Sequence, residues 1–219
     1  MPKLMTMNQS RIKLITFDAF NTLFKPKGGM SQLYVQEAAK MGIKVSLEDI
    51  NRNFSLMYKH QVEHYPFYGR AQGMTSKTWW ENLVYTTFIG AGAPKSDLDS
   101  VFTDLFETLY HRFTNAQGYD IFVDVVPNLK ALHQHGFRMG VVSNSDERIV
   151  EVLQNLQLAK YLDFIMSSVD AGCEKPATEF FNTARAMAGP SISAKQILHV
   201  GDDEEIQLNL SVYDYPQEH

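Results

Sequence analysis

The alternation of helix and strand patterns after Gly118 limits the fold more than any other feature of this 219-residue chain. A helical pattern over 126–135 stops at Gly136, a suitable C-terminal cap, and the apolar run 137–142 follows it. Ser143-Asn144-Ser145-Asp146 then offers several N-caps for a helix reaching Gln157. Residues 162–167 read as a further strand, Pro176 suits the first turn of a helix over 177–188, and 196–200 reads as a last strand running into Gly201-Asp202-Asp203. Strands separated by single helices need crossover connections, so a parallel sheet covered on both faces is expected.

The N-terminal part belongs to the same sheet but is followed by something different. The β-branched and aromatic run 12–17 ends abruptly at Asp18 and reads as a buried strand. Segments 31–41, 47–64, 76–91 and 97–113 then space apolar residues three and four apart, as in Leu98, Val101, Phe102, Leu105, Phe106 and Leu109. Breakers at 28–29, 42, 66–73 and 90–94 separate these four helices. The expected architecture is α/β: a doubly wound, Rossmann-like core from 1–24 and 117–219, with a helical cap inserted at 25–116.

Composition narrows the partners. Hydrophobic residues at 44% and charged residues at 21% exclude wholesale disorder and fibrous repeats. A net charge of −5 argues against non-specific attraction to nucleic acid or to an anionic membrane, so neither partner is expected. No apolar run reaches the length of a membrane span, and 1–10 lacks the apolar core of a signal peptide. A soluble intracellular protein is expected, cytoplasmic by default with the nucleus left open. The lone Cys173 has no internal disulfide partner.

Ligands of open parallel sheets bind at the carboxyl ends of the strands. Four ends carry pointed chemistry here: Asp18, Ser143-Asn144, Glu174-Lys175-Pro176 and Gly201-Asp202-Asp203. Singly, each has an ordinary reading as a turn, a helix cap or a solvated lysine. Together they supply a carboxylate nucleophile, a hydroxyl donor, an ammonium and metal-binding carboxylates, the parts needed to attack and stabilise a phosphoryl group. A hard cation such as Mg²⁺ suits such oxygen ligands.

These residues resemble the haloacid dehalogenase superfamily of hydrolases. The signatures stand as Phe17-Asp18-Ala19-Phe20-Asn21-Thr22-Leu23, Val141-Val142-Ser143-Asn144, Lys175-Pro176 and His199-Val200-Gly201-Asp202, in the family's order and with its helical insertion after the first. Residues 65–69, 73–76 and Trp79-Trp80 resemble one subgroup more narrowly. The resemblance implies Asp18 as nucleophile and metal ligand, the Phe20 carbonyl as a second ligand, and Asp202, with Asp203 as a substitute, completing the metal shell. Ser143 and Lys175 would hold and neutralise the phosphoryl group, supported by Thr22 and Asn144. A small, anionic, phosphorylated substrate follows, with Mg²⁺ as cofactor; oligomeric state stays open.

Two departures from the family pattern matter. Phosphatase members carry a general acid two residues after the nucleophile, where this chain has Phe20, and that acid–base help is typically worth about 10²–10⁴-fold in rate. Dehalogenase members have an aromatic residue there, which keeps carbon–halogen hydrolysis open as an alternative, as is a binding module that has lost turnover. Ile206 and Gln207 stand where relatives place another Asp, and the polar ending at His219 suggests a shortened or variant C-terminus.

Other features receive ordinary readings. His60 and His64 lie one helical turn apart but lack a third ligand, so they are expected as histidines of the helical insert. Of Trp79 and Trp80, one is expected in the insert's core, and a cleft-facing place for the other is the less favoured reading. Cys173 is expected as an incidental thiol, and Arg70 and Lys77 as solvated surface.

Overall fold

The computed structural model describes residues 12–202. Its main sheet has four parallel strands in the order β5-β4-β1-β6. They are β1 (Leu14–Phe17), β4 (Arg138–Ser143), β5 (Phe164–Ser167) and β6 (Ile197–Val200). In register, Phe17 stands opposite Val141 of β4 and Val200 of β6. The carboxyl ends of the three strands therefore lie side by side.

Period-two alternation explains how the sheet is buried. Ile15, Phe17, Met139 and Val141 pack with Val125 and Leu129 of α5 (Val125–Gln134) and with Ile149, Val152 and Leu153 of α6 (Arg148–Asn155). On the opposite face Val142 and Met166 meet Phe180 and Ala184 of α8 (Thr178–Ala188), preceded by the single turn α7 (Ser168–Ala171). Both faces carry helices, as the alternating sequence pattern requires.

Between β1 and β4 the chain runs through a short strand pair, β2 (Phe24–Pro26) and β3 (Tyr119–Ile121), which is antiparallel and brackets four helices. These are α1 (Met30–Lys40), α2 (Leu47–His64), α3 (Ser76–Gly90) and α4 (Lys95–Arg112), within two residues of the sequence-derived bounds. Ser46 caps α2 by accepting from Asp49 N, and Thr75 caps α3 by accepting from Thr78 N. Their apolar faces close on a cluster of their own, including Ile50, Phe88, Leu98, Leu105 and Leu109, all at 1% exposure or less.

Three local expectations need correction. The helix expected to start among Ser143–Asp146 begins at Arg148 after Glu147; Asp146 still caps it, because its Oδ1 accepts from Arg148 N at 3.0 Å. Pro176 precedes α8 instead of opening it, since Ala177 is the N-cap and Thr178 the first helical residue. The strand pair β2–β3 has no counterpart in the sequence reading. The expectations for Asp203, Ile206, Gln207 and the C-terminal ending lie outside the described residues.

Candidate active site

β1 delivers Asp18 to the carboxyl edge of the sheet, where its N–H donates to Val200 O at 2.8 Å and so continues the ladder by one residue. One carboxylate oxygen, Oδ1, accepts from Ala19 N at 2.7 Å. The other, Oδ2, lies 2.7 Å from Lys175 Nζ. The lysine side chain is 1% exposed and the aspartate side chain 16%. That contact has ion-pair distance without hydrogen-bond alignment, and Nζ has no other partner among the described residues. A buried ammonium with unsatisfied donors is a costly arrangement that an anion beside it would relieve.

Asn144 fixes the main chain that carries this lysine. Its Nδ2 donates to Lys175 O at 2.9 Å while its Oδ1 accepts from Lys175 N at 2.8 Å. The amide is thereby committed to the third loop and supports Lys175 from the second. Ser143, 1% exposed, is the last residue of β4 and pairs in register with Ser167 of β5. Thr22 Oγ1 is buried with no hydrogen-bond partner among the described residues. Asp202 follows β6 by two residues and is exposed, and β6 adjoins β1, after which Asp18 stands.

Among the described residues no three His, Cys, Asp or Glu side chains form a metal cluster. The donor set nevertheless fits Mg²⁺, which binds through one or two carboxylates and keeps water in its remaining positions. Asp18 and Asp202, after adjoining strands, would provide those carboxylates. Asp203 lies outside the described residues.

His199, on β6, is held by Thr16 Oγ1 at 2.9 Å from its Nδ1 and faces the Phe181 ring at 5.6 Å between centroids. Burial pushes its imidazole down to about 4, helped by the nearby Lys175 charge and opposed by Asp18. It is therefore neutral at pH 7.

Next to this cluster, between the strand ends and the four helices, lies a cleft of about 400 Å³. Phe20 belongs to both places: it is two residues from Asp18, and its ring lines the cleft against Phe24 at 5.2 Å and Tyr119 at 6.0 Å between centroids. Across the cleft, Asp146, Arg148 and Trp80 form a buried constellation. Arg148 Nε and Nη2 donate to Asp146 at 3.0 and 2.5 Å, and Trp80 Nε1 donates to the same carboxylate at 2.6 Å. The guanidinium carbon sits 4.1 Å from the Tyr110 ring centroid. Burial works against the Arg148 charge, but the Asp146 carboxylate outweighs it and raises the guanidinium above its ordinary value. Burial likewise raises the phenols of Tyr34, Tyr119 and Tyr68.

Asp18, Lys175 and Asn144 are linked by direct contacts, and strand register sets Ser143 and Asp202 on either side. Trp79 is buried, as expected of one of the pair, and Trp80 lines the cleft, the less favoured reading of the other. His60 and His64 stack at 4.0 Å on an exposed face of α2, and burial raises the Cys173 thiol instead of activating it. Lys77 pairs with Glu107 on the surface. Arg70 is exposed, as expected, and its Nη1 also donates to Val169 O, which ties the insert to α7. The Asp146–Arg148–Trp80 constellation and His199 escaped the sequence reading. Asp146 carried only the signal of a helix cap, and nothing local marks Arg148 or Trp80 as its partners.

A parallel sheet covered by helices, with an aspartate paired to a buried lysine at its carboxyl edge, fits a class of α/β hydrolases. The sequence family described as haloacid dehalogenase-like hydrolase matches residues 12–205, and the chain belongs to it. The chain is 34% identical over 191 residues to Haloacid dehalogenase-like hydrolase domain-containing protein 3 of Danio rerio, covering 87% of this chain and 77% of that one. Among solved structures it is similar to the HAD-hydrolase YfnB from Bacillus subtilis bound to magnesium, with a TM-score of 0.69 at 17% identity over 91% of this chain and 86% of that one. It is also similar to the defluorinating L-2-haloacid dehalogenase Rha0230, with a TM-score of 0.70 at 15% identity over 92% and 78% of the two chains. Among the described residues no helix is long and apolar enough to cross a membrane.

Proposed function

We propose that this hydrolase is a Mg²⁺-dependent phosphohydrolase that acts through an aspartyl phosphate at Asp18 on a small phosphorylated compound. The observation that carries this reading is the pairing of Asp18 with a lysine buried to 1% exposure at the carboxyl edge of the sheet. The Asp18 carboxylate attacks phosphorus, and the ester bond breaks with its electron pair on the leaving oxygen. Lys175 neutralises charge that builds on the phosphoryl group, and Asn144 keeps the lysine main chain in place. The Ser143 hydroxyl donates to a non-bridging oxygen, and Thr22 supports the first loop. Asp18, the Phe20 carbonyl, Asp202 and Asp203 would hold Mg²⁺, which would supply charge screening between nucleophile and substrate. The four-helix insert, 25–116, acts as a cap over a core of 1–24 and 117–219, excluding water and selecting the substrate. The Phe20 side chain offers no proton, which lowers activity on esters that need one.

The Phe20 ring also favours a second reading, hydrolysis of a carbon–halogen bond, in which halide leaves without a proton. A screen of purified protein against phosphate esters and 2-haloacids, with and without Mg²⁺ and beside Asp18→Asn, separates the two. Mg²⁺-dependent phosphate release that disappears in the variant supports the proposal. Metal-independent release of halide, with no phosphate release, would replace it with the second reading.

A further inference from the structure

Resting on the reading of Asp18 as phosphoryl acceptor, we propose that the cleft beside Phe20 selects aryl phosphates, so that the leaving group is a phenol-class oxygen on an aromatic ring. Two independent observations converge on this.

The first concerns protons. The wall of the cleft next to the nucleophile is the Phe20 ring. The cleft's own carboxylate, Asp146, already accepts four hydrogen bonds, two on Oδ1 from Arg148 N and Nε and two on Oδ2 from Arg148 Nη2 and Trp80 Nε1. Both of its oxygens are engaged as acceptors, which leaves neither free to turn toward a leaving group. Burial raises the phenol of Tyr68, which makes it a poorer acid. Among the described residues lining the cleft no carboxyl group is left to protonate a leaving group; Glu174, whose carboxyl burial raises, neighbours Tyr58 and Tyr68 but does not line the cleft. A phenol gives up its proton near pH 10, as tyrosine does, so its oxide leaves readily. An alkoxide resembles hydroxide, whose parent water is a far weaker acid than a phenol, and leaves poorly without protonation.

The second concerns shape and chemistry. The cleft is walled by aromatic rings: Phe20 on the sheet side, with Trp80, Tyr110 and Tyr68 from the helical insert. Tyr68 and Trp80 have ring centroids 6.4 Å apart, and Tyr68 holds its position at φ 56°, a left-handed conformation uncommon for a bulky residue. Offset and edge-on ring contacts favour a planar aromatic group here. The polar end of the cleft matches a ring substituent that accepts and donates hydrogen bonds, because Ser145 Oγ is buried without a hydrogen-bond partner among the described residues and Arg148, three positions on, shares the lining.

The chemistry balances without an added reactant. Asp18 forms the new P–O bond, the P–O(aryl) bond breaks, and the pair leaves on the phenolate, which takes a proton from solvent. Water then attacks the aspartyl phosphate, the P–O(Asp18) bond breaks to restore the carboxylate, and of the water's two protons one stays on phosphate and one passes to solvent. With no base at position 20, this second step limits turnover, and aryl oxide is released in an initial burst.

The test uses the full chain with Mg²⁺ and compares phenyl phosphate with butyl phosphate by rapid-mixing kinetics, alongside binding of phenylphosphonate and methylphosphonate by calorimetry. The expected result is phosphorylation by phenyl phosphate at least about 10²-fold faster than by butyl phosphate, the span that a missing general acid leaves open. Phenylphosphonate should bind about 3- to 10-fold tighter than methylphosphonate, and that preference should shrink in Trp80→Ala and in Tyr68→Gly. Tyr68→Gly guards against a folding failure, since glycine accepts the left-handed backbone without strain. Asp18-dependent hydrolysis with equal rates for the two esters, or equal binding of the two phosphonates, overturns the inference alone. Absence of Asp18-dependent hydrolysis of either ester, and of p-nitrophenyl phosphate, overturns the phosphohydrolase reading and the inference with it.

Discussion

Lys175 shows how one buried charge sets the behaviour of the site. Its ammonium is nearly inaccessible, whereas Asp18 keeps some exposure and a hydrogen bond from Ala19 N. Removing the two partners should therefore have unequal effects. Asp18→Asn strands a buried cation and should cost about 3–5 kcal/mol, while Lys175→Met removes the charge and replaces its stem with an apolar one, and should cost clearly less. Urea unfolding of the two variants in the absence of Mg²⁺ measures the difference; equal losses would mean that the ammonium is not the strained member of the pair. Phe20 makes the opposite prediction, a gain. Phe20→Asp supplies the missing acid at the edge of the cleft and should raise hydrolysis of alkyl phosphates by about 10-fold or more. Steady-state kinetics with butyl phosphate checks it, and an unchanged rate would show that the acid is not what limits the site. His199 adds a pH dependence. Its folded value of about 4 lies below the ordinary 6.5, so the unfolded chain binds the extra proton first. The stabilising contribution is complete above pH 6.5 and is lost as pH falls from there through 4, amounting to about 3 kcal/mol at most. Lys175 and Asp18 face the same imidazole, the first lowering and the second raising it. The difference in unfolding free energy between the protein and His199→Gln, followed from pH 7 to 4, isolates the histidine; parallel curves would remove it as the source.

At the scale of elements, the connection between insert and sheet is more demanding than either part. Gly118 precedes β3, and its carbonyl accepts from Lys27 N at 2.9 Å where the chain leaves β2. A Cβ at Gly118 would meet Arg112 O at 2.4 Å, and a main-chain carbonyl cannot swing aside as a side chain can. Gly118→Ala should destabilise by about 1–3 kcal/mol although the residue lies outside the main sheet, and thermal unfolding is the measurement. The sequence hid this element for a physical reason. β2 and β3 are three residues each, too short for a period-two pattern, and β2 ends in Pro26. The four long helices were legible because tertiary burial and sequence spacing agree: Leu98, Leu105, Phe106 and Leu109 are the buried face of α4. The strand ends were legible too, since each strand stops at a residue unlike those before it, as β1 does at Asp18. What spacing along a chain cannot carry is the pairing of distant residues. Trp80 and Asp146 are 66 positions apart, and neither the order β5-β4-β1-β6 nor the commitment of Asn144 to Lys175 follows from local patterning.

Across the whole molecule, the helical insert and the sheet are coupled through a small number of polar contacts set into an otherwise apolar cleft. Arg70 reaches Val169 O from one side, and Asp146 on the sheet side takes the Trp80 indole N–H from the other. The second contact carries more, because Asp146 also holds Arg148, whose guanidinium lies over Tyr110 of α4. Asp146 thus fixes two insert residues at once, one directly and one through the arginine. Its removal leaves Arg148, with a side chain 14% exposed, buried as an unpaired cation. Asp146→Ala should therefore cost about 3–5 kcal/mol, and adding Arg148→Met should recover part of that loss by removing the unpaired charge. The function should not recover in parallel. The double variant restores charge balance but leaves Trp80 and Tyr110 without their shared anchor, so the insert loses its fixed seat over the strand ends. Unfolding in urea should place the double variant above Asp146→Ala in stability. Hydrogen exchange should still show α3 and α4 opening more readily than in the unaltered protein. If stability and α3 protection return together, the tryptophan contact contributes little to docking, and apolar packing alone holds the insert in place.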